Sequence, residues 1–172
     1  WNDLDTPTLL LDKATLLANI LTMSDFTKEN SLSLRPHIKT HKSKEIAKLQ
    51  MEHGAIGLTT AKLEEAEVMA DAGITDILVA YPISSQVKIE RAIALLQKGV
   101  DLKLAVDSLE QIKLLQKALE KSGHNLEVWI KVNSGLNRCG VEPGEDAVEL
   151  AKAVLFLSQV RVGGIFTHAG HS

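Results

Sequence analysis

The sequence predicts an α/β fold, and within that class a (β/α)8 barrel of which about six strand–helix units are present. Short aliphatic runs recur at fairly even spacing along the chain, with a longer last step, and amphipathic helical patterns lie between them. The aliphatic runs also carry polar residues at alternate positions. Strands that alternate with helices in this way form βαβ units, which build a parallel sheet.

The aliphatic runs are expected to be the strands of that sheet. Six are predicted, at residues 32–37, 56–60, 77–81, 102–106, 127–132 and 163–167. A complete barrel needs eight strands. Residues 1–172 are therefore expected to be the N-terminal part of a barrel domain. Because the sequence opens at Trp1 and not at a methionine, its start is not expected to be a natural translation start.

The intervening segments are expected to be the outer helices. Residues 61–73 place apolar side chains on one face and stop at a glycine. Residues 108–123 begin with Ser108 and Gln111 in a capping-box pattern and also end in a glycine. Pro143 is expected to open the next helix, where its missing N–H costs nothing.

Such a parallel sheet can be arranged in two main ways, as an open doubly wound sheet or as a closed barrel. An open sheet lies between two layers of helices and is apolar on both faces. Here Trp129, Lys131 and Asn133 alternate with valine and isoleucine, and residues 101–107 show the same alternation. No G-x-G-x-x-G follows an early strand. A barrel, whose bore accepts polar side chains near an active site, is favoured.

Composition excludes several classes of function. The net charge of −3 gives no electrostatic reason to expect nucleic acid or an anionic membrane as a partner. Cys139 is the only cysteine, which excludes an intrachain disulfide and a cysteine-rich zinc site. No signal peptide and no apolar run of membrane-spanning length is recognisable, so a cytoplasmic location is expected.

Candidate chemistry should lie at the carboxyl ends of the strands, where the active sites of barrels form. The polar residues at these positions form a plausible catalytic ring. They are Lys39, Thr59, Thr60, Tyr81, Asp107, Asn133 with Arg138, and His168 with His171.

The densest cluster is RPHIKTHK, in which Arg35, His37, Lys39 and His41 alternate and would share one side of an extended chain. Lys42 has the opposite parity and is expected to begin the outer helix. A lysine crowded by cations has a lowered pKa and can form an imine with a carbonyl compound. An anion site and a solvated basic loop are the alternatives.

This segment, with GLTTAKLEEAEVMADAGITDILVAYP after it, resembles the D-threonine aldolase and D-serine dehydratase family. These are fold-type III pyridoxal phosphate enzymes, related to alanine racemases, and the resemblance extends over essentially the whole chain. It implies an alanine racemase-like, TIM-type barrel. The family's cofactor-bearing lysine falls on Lys39, which would then be the catalytic residue.

The stretch KVNSGLNRCGV is similar to the fifth-strand motif of these enzymes and of alanine racemases. The resemblance implies that Arg138 contacts the phenolic oxygen of the cofactor. Lys131 matches a lysine that some racemases carbamylate, and Asn133 stands where an aspartate is usual. From the residues alone, Arg138 could equally be a loop arginine paired with Glu142 or Glu145.

The stretch GIFTHAGHS is similar to the sixth-strand motif. The resemblance implies that His168 packs against the pyridine ring of the cofactor. His168 and His171 have a spacing that suits a metal, but no third ligand is apparent, so no metal site is predicted in this chain. Cys139 is expected to fill space behind the preceding loop, without a catalytic role.

The resemblance implies a pyridoxal phosphate-dependent lyase that acts on small D-hydroxy-amino acids and is a homodimer when full length. The phosphate-binding loops, and a C-terminal β domain that supplies an opposing base or a divalent metal (Zn or Mn), would lie outside this chain, which would then be inactive alone. Alanine racemase is the runner-up within the group. The alternative of another class is a non-catalytic pyridoxal phosphate carrier or an inactive fragment.

Overall fold

The computed structural model describes residues 4–170. Its helices are α1 (Lys13–Glu29), α2 (Lys44–Glu52), α3 (Leu63–Asp71), α4 (Gln86–Gln97), α5 (Leu109–Ser122) and α6 (Glu145–Val154). Its strands are β1 (Leu58–Thr60), β2 (Asp76–Val79), β3 (Asp101–Val106), β4 (Leu126–Val132) and β5 (Val160–Thr167). Within the described range, no helix has the length and apolarity needed to cross a membrane.

The five strands form one parallel sheet in the order β1-β2-β3-β4-β5, which is also the order of the chain. From α1 to α6, each helix contacts the next one along the chain. Sequential parallel strands with helices packed in the same order form the wall of a barrel. The prediction of a partial α/β barrel is confirmed.

The first predicted strand, residues 32–37, is not a regular strand. It pairs with the sheet only through isolated parallel bridges, from Leu34 to Ala55 and from His37 to Thr59. Pro36 lies between the bridges and has no N–H to donate, although its carbonyl accepts from the Thr59 N–H at 2.8 Å. The segment therefore runs along β1 without a continuous ladder, and five strands replace the expected six.

Alternate strand residues face two different environments. The apolar residues of β3 and β4, such as Leu104 and Ile130, are almost completely buried in the core under the helices. Helix α5 begins at Ser108, whose side chain accepts from the Gln111 N–H, and ends at a glycine in the left-handed region, as predicted. Pro143, however, does not open the next helix, because α6 starts two residues later, after Gly144.

The opposite face holds an ionic cluster at the amino ends of the strands. Asp76 accepts from Arg35 Nη2 at 3.2 Å and from Lys103 Nζ at 2.7 Å. Lys103 also donates to Asp101 and is only 6% exposed. At Gly57, an added Cβ would lie 2.7 Å from the Asp76 carbonyl oxygen and would collide with Arg35. The cluster thus ties three neighbouring segments together at the end opposite the strand-end residues.

Candidate active site

Lys39 lies in a 3-10 turn, Ile38–Thr40, which follows the extended segment directly. Ile38 is fully buried and anchors the turn in the core, whereas Lys39 is exposed. The alternation expected for residues 35–41 therefore ends at His37. His41 lies instead beside α1 and α2, in a pocket of about 340 Å³ lined by residues such as Ile20 and Gln50.

Lys42 also differs from its prediction. It precedes the N-cap of α2, which is Ser43, and does not begin that helix. Its backbone is in the left-handed region, with a φ of 52°. Its ammonium lies 3.5 Å from Glu65, a buried carboxylate whose other oxygen accepts from the Ala61 N–H. Lys42 is thus held by α3, and its amine has a carboxylate partner.

His37 caps the turn that carries Lys39. Its Nδ1 accepts from the Lys39 backbone N–H at 3.3 Å. Burial and the nearby Lys39 ammonium lower the pKa of His37 below its ordinary value of 6.5, with His168 and Lys131 adding to the shift and Glu65 opposing it. Glu65 on α3, Lys131 on β4 and His168 after β5 are therefore close enough to the Lys39 turn to influence the charge of His37.

The loop after β4 carries Arg138. Asn133 organises this loop through its side chain, which donates to Asn137 and Glu142 and accepts from the N–H groups of Gly135 and Asn137. An aspartate at this position could not donate to Glu142 and would repel it. The amide in place of the usual aspartate therefore has a structural role, which the sequence alone did not reveal.

Asp107 holds the same loop from the neighbouring strand. Its Oδ2 accepts from the Gly140 N–H at 3.0 Å. Gly140 has a φ of 108°, and a Cβ there would lie 2.7 Å from the Asn133 nitrogen, so only glycine fits. Asp107 is thus a support for the Arg138 loop, while Ser108 beside it is the helix cap.

Arg138 itself is exposed. Glu142 is bonded by Asn133, and between residues 4 and 170 neither Glu142 nor Glu145 forms an ion pair with Arg138. The alternative of a loop arginine paired with one of these carboxylates is therefore not what the structure has.

Lys131 is a buried lysine beneath this loop. It is 3% exposed, donates to the Ala80 carbonyl at 2.9 Å and lies 4.4 Å from the centre of the Phe166 ring. Burial lowers the pKa of Lys131, Arg138 and Lys39 lower it further, and Cys139 and Asp107 oppose them. Lys131 therefore connects the end of β2 with β4 and β5, and it feels the charges of both Lys39 and Arg138.

His168 follows β5 and is half-buried. It lines a small cavity together with Lys131, Arg138 and the half-buried Cys139. Its carbonyl accepts from the Ser134 hydroxyl at 3.2 Å, which links the ends of β4 and β5. His171, the other half of the histidine pair, lies outside the described residues.

The remaining strand-end candidates are less involved. Thr59 and Thr60 are buried within β1. Tyr81 is exposed beside Ala80, the residue that accepts from Lys131. Across residues 4–170, no group of three or more histidine, cysteine or carboxylate side chains could hold a metal ion.

One rim of the sheet is formed by the ends of the extended segment 32–37 and of the strands β3, β4 and β5. Polar side chains follow each of these ends. The rim is rich in cations and in hydrogen-bond donors, with Glu65 and Asp107 as carboxylates already engaged by backbone N–H groups. Such a surface suits an anionic ligand with a reactive carbonyl, because an exposed lysine amine stands among fixed positive charges.

Comparisons with known proteins find relatives of this chain in sequence and in fold. A 3-hydroxy-D-aspartate aldolase of Paracoccus denitrificans is 35% identical over 98% of this chain and 44% of its own length. A D-threo-3-hydroxyaspartate dehydratase of Delftia sp. is 37% identical over 98% of this chain and 44% of its own. The crystal structure of a D-threonine aldolase from Filomicrobium marinum superimposes with a TM-score of 0.91 and 40% identity, over 95% of this chain and 44% of that one.

The chain thus spans less than half the length of these relatives. The sequence model described as "Alanine racemase, N-terminal domain" matches residues 11–172. On the sequence match and the shared fold, this chain belongs to the alanine racemase N-terminal domain family.

Proposed function

We propose that the protein containing this chain is a pyridoxal phosphate-dependent lyase that acts on D-hydroxy-amino acids. The observation that carries the proposal is the placement of Lys39. It is exposed at the tip of an anchored turn, on a rim to which Lys131, Arg138 and His168 also belong. The relatives named above, which are aldolases and a dehydratase of D-3-hydroxy-amino acids, supply the reaction class.

The residues present fit this cofactor. Its aldehyde requires a lysine amine, and within residues 4–170 Lys39 has no carboxylate within ion-pair distance, unlike its neighbour Lys42. Its phenolic oxygen and phosphate are anionic, and the rim offers the guanidinium of Arg138, which forms no ion pair with any residue between 4 and 170. When bound, the cofactor supplies an electron sink for a bond broken at the substrate's α-carbon.

Each polar residue of the rim would have a separate role in binding the cofactor or in the reaction. Lys39 would hold the cofactor and, once its amine is free, move a proton on its own face of the substrate. Arg138 would hold the phenolic oxygen, since its loop is fixed by Asn133 and Asp107. His168 would pack against the ring, and Lys131 would place its amine beneath the Arg138 loop, against the face of Phe166.

The rest of the machinery belongs to the proposal as well. We infer that the last barrel strands, the phosphate-binding loops and a C-terminal β domain lie outside residues 1–172. That domain would supply the opposing base, or a divalent metal such as zinc or manganese that polarises the substrate hydroxyl. A homodimeric state, which rests on the family resemblance, and a cytoplasmic location, which rests on the sequence pattern, are further parts of the proposal.

The test is a substrate screen on the complete protein loaded with pyridoxal phosphate. D-threonine, D-serine and D-threo-3-hydroxyaspartate are supplied with and without divalent metal, and their L-enantiomers serve as controls. We expect glycine with an aldehyde, or a 2-oxo acid with ammonia, from the D-enantiomers alone. D-alanine is supplied in a separate reaction. Its racemisation without either lyase reaction would favour the racemase, and bound cofactor without any turnover would favour a carrier.

A further inference from the structure

We propose that His37 is a positioning residue, which holds the Lys39 turn in place only while its imidazole is neutral. The proposal rests on the function proposed above and adds a pH-dependent element to the same site. It follows from a hydrogen bond inside the RPHIKTHK segment, where the side chain of His37 accepts from the backbone of the residue that would carry the cofactor.

The hydrogen bond caps the start of a helical turn. The first N–H groups of such a turn have no partner within it, so a side chain or water must accept from them. Here the Lys39 N–H donates to His37 Nδ1 at 3.3 Å. The other end of the turn is closed by the N–H groups of His41 and Lys42, which donate to the Ile38 carbonyl at 3.2 and 2.8 Å. The cap therefore fixes the backbone from which the Lys39 side chain extends.

The cap defines the tautomer of His37. If Nδ1 accepts, the single proton of the neutral ring is on Nε2. A protonated imidazole carries a hydrogen on both nitrogens and has no acceptor. Protonation would replace the Lys39 N–H bond by a contact between two donors and would release the start of the turn.

The groups around His37 decide when this happens. They are Lys39 on its own segment, Glu65 on α3, Lys131 on β4 and His168 after β5. Burial is the largest influence and lowers the pKa of His37 below 6.5. The cations and His168 act in the same direction, and Glu65 alone opposes them. The lowered pKa therefore favours the neutral ring near neutral pH, and the cap is lost only at acidic pH.

His41 provides an internal comparison. Its Nδ1 accepts from the Ser43 N–H at 3.1 Å, again two residues along the chain, and burial lowers its pKa too. It lies in the pocket beside α1 and α2, away from the rim. Both histidines of the segment thus accept from the N–H two residues ahead, but only the His37 bond caps the turn that carries Lys39.

The test uses substitutions that separate capping from titration. In His37→Asn the amide oxygen can accept the same N–H but cannot be protonated, whereas His37→Ala has no acceptor. His41→Asn is the matched control. Each variant of the complete protein is loaded with pyridoxal phosphate at several values between pH 5 and pH 8. The bound cofactor is trapped with cyanoborohydride, and the fraction labelled on Lys39 is measured by peptide mapping. Far-UV circular dichroism checks that each variant is folded.

For the unsubstituted protein and His41→Asn, we expect trapping on Lys39 to decline toward the acidic end of this range. His37→Asn should remove this extra acid loss and match the unsubstituted protein at pH 8. His37→Ala should bind the cofactor roughly fivefold more weakly at pH 8, as expected for the loss of one hydrogen bond. If Lys39 is labelled at pH 8 but His37→Asn keeps the acid loss, the role of His37 is refuted while the proposed function stands. If no lysine is labelled in the unsubstituted protein, both are refuted.

Discussion

Lys39→Ala in the complete protein should abolish the visible absorbance of the lysine-bound cofactor and lower turnover by at least about a thousandfold. The substitution removes the only exposed amine on the 3-10 turn Ile38–Thr40. It removes the covalent attachment point and the proton-transfer group together. Borohydride reduction followed by peptide mapping locates the attachment directly, independently of turnover.

Lys42→Ala is the matched control. Lys42 is close in sequence and exposed, but its amine lies 3.5 Å from Glu65. Because Lys42 is exposed and Glu65 keeps its bond from the Ala61 N–H, loss of this ion pair should cost about 1 kcal/mol and leave the label on Lys39 unchanged. A label on Lys42, or on no lysine at all, would overturn the site assignment and most of the proposed function.

The second large effect, on stability, is expected at the ionic cluster of Arg35, Asp76 and Lys103 at the amino ends of the strands. Asp76→Ala should lower the free energy of unfolding by about 3 kcal/mol, because it leaves Arg35 and Lys103 without their shared carboxylate. Burial alone would raise the pKa of Asp76, but the hydrogen bonds from Arg35 and Lys103 outweigh it and the pKa lies below its usual value. The carboxylate therefore stabilises the fold above its unfolded pKa, and this stabilisation is lost as the pH falls through its folded pKa.

Asp71→Ala tests whether burial is the cause. Asp71 also pairs with a lysine, Lys98, at 3.2 Å, but both side chains are more than half exposed. Its removal should cost less than about 1 kcal/mol. Urea denaturation of both variants at neutral pH measures the difference. Equal losses would mean that water already solvates the cluster and that it does not hold the strands together.

The architecture could be predicted from the sequence because the strand alternation is strict. Residues such as Leu104 and Ile130 face the helices, whereas Lys103 and Lys131 face the bore, as the alternation requires. The prediction of a regular strand at residues 32–37 is wrong, because Pro36 interrupts its hydrogen-bond ladder and the chain then turns at Ile38. Periodicity within a short apolar run does not reveal where an extended chain stops pairing.

The candidate site was predicted mainly through motifs. Lys39, Arg138 and His168 were named from the family resemblance, and the structure places the last two beside one cavity. The alternation predicted for residues 35–41 is wrong at His41, because the chain is not extended there but forms a turn at Ile38. The roles of Asn133 and His37 as hydrogen-bonding supports depend on loop conformation, which local sequence does not determine.

The order of the sheet has a consequence for synthesis of the chain. Each strand from β2 to β5 pairs with the strand before it, so its template is already complete when it leaves the ribosome. Pairing between neighbours keeps loop closure short and avoids waiting for distant segments. The Lys39 turn is connected to β1 through the His37–Thr59 bridge, so it is anchored early, while the later strands are still being translated.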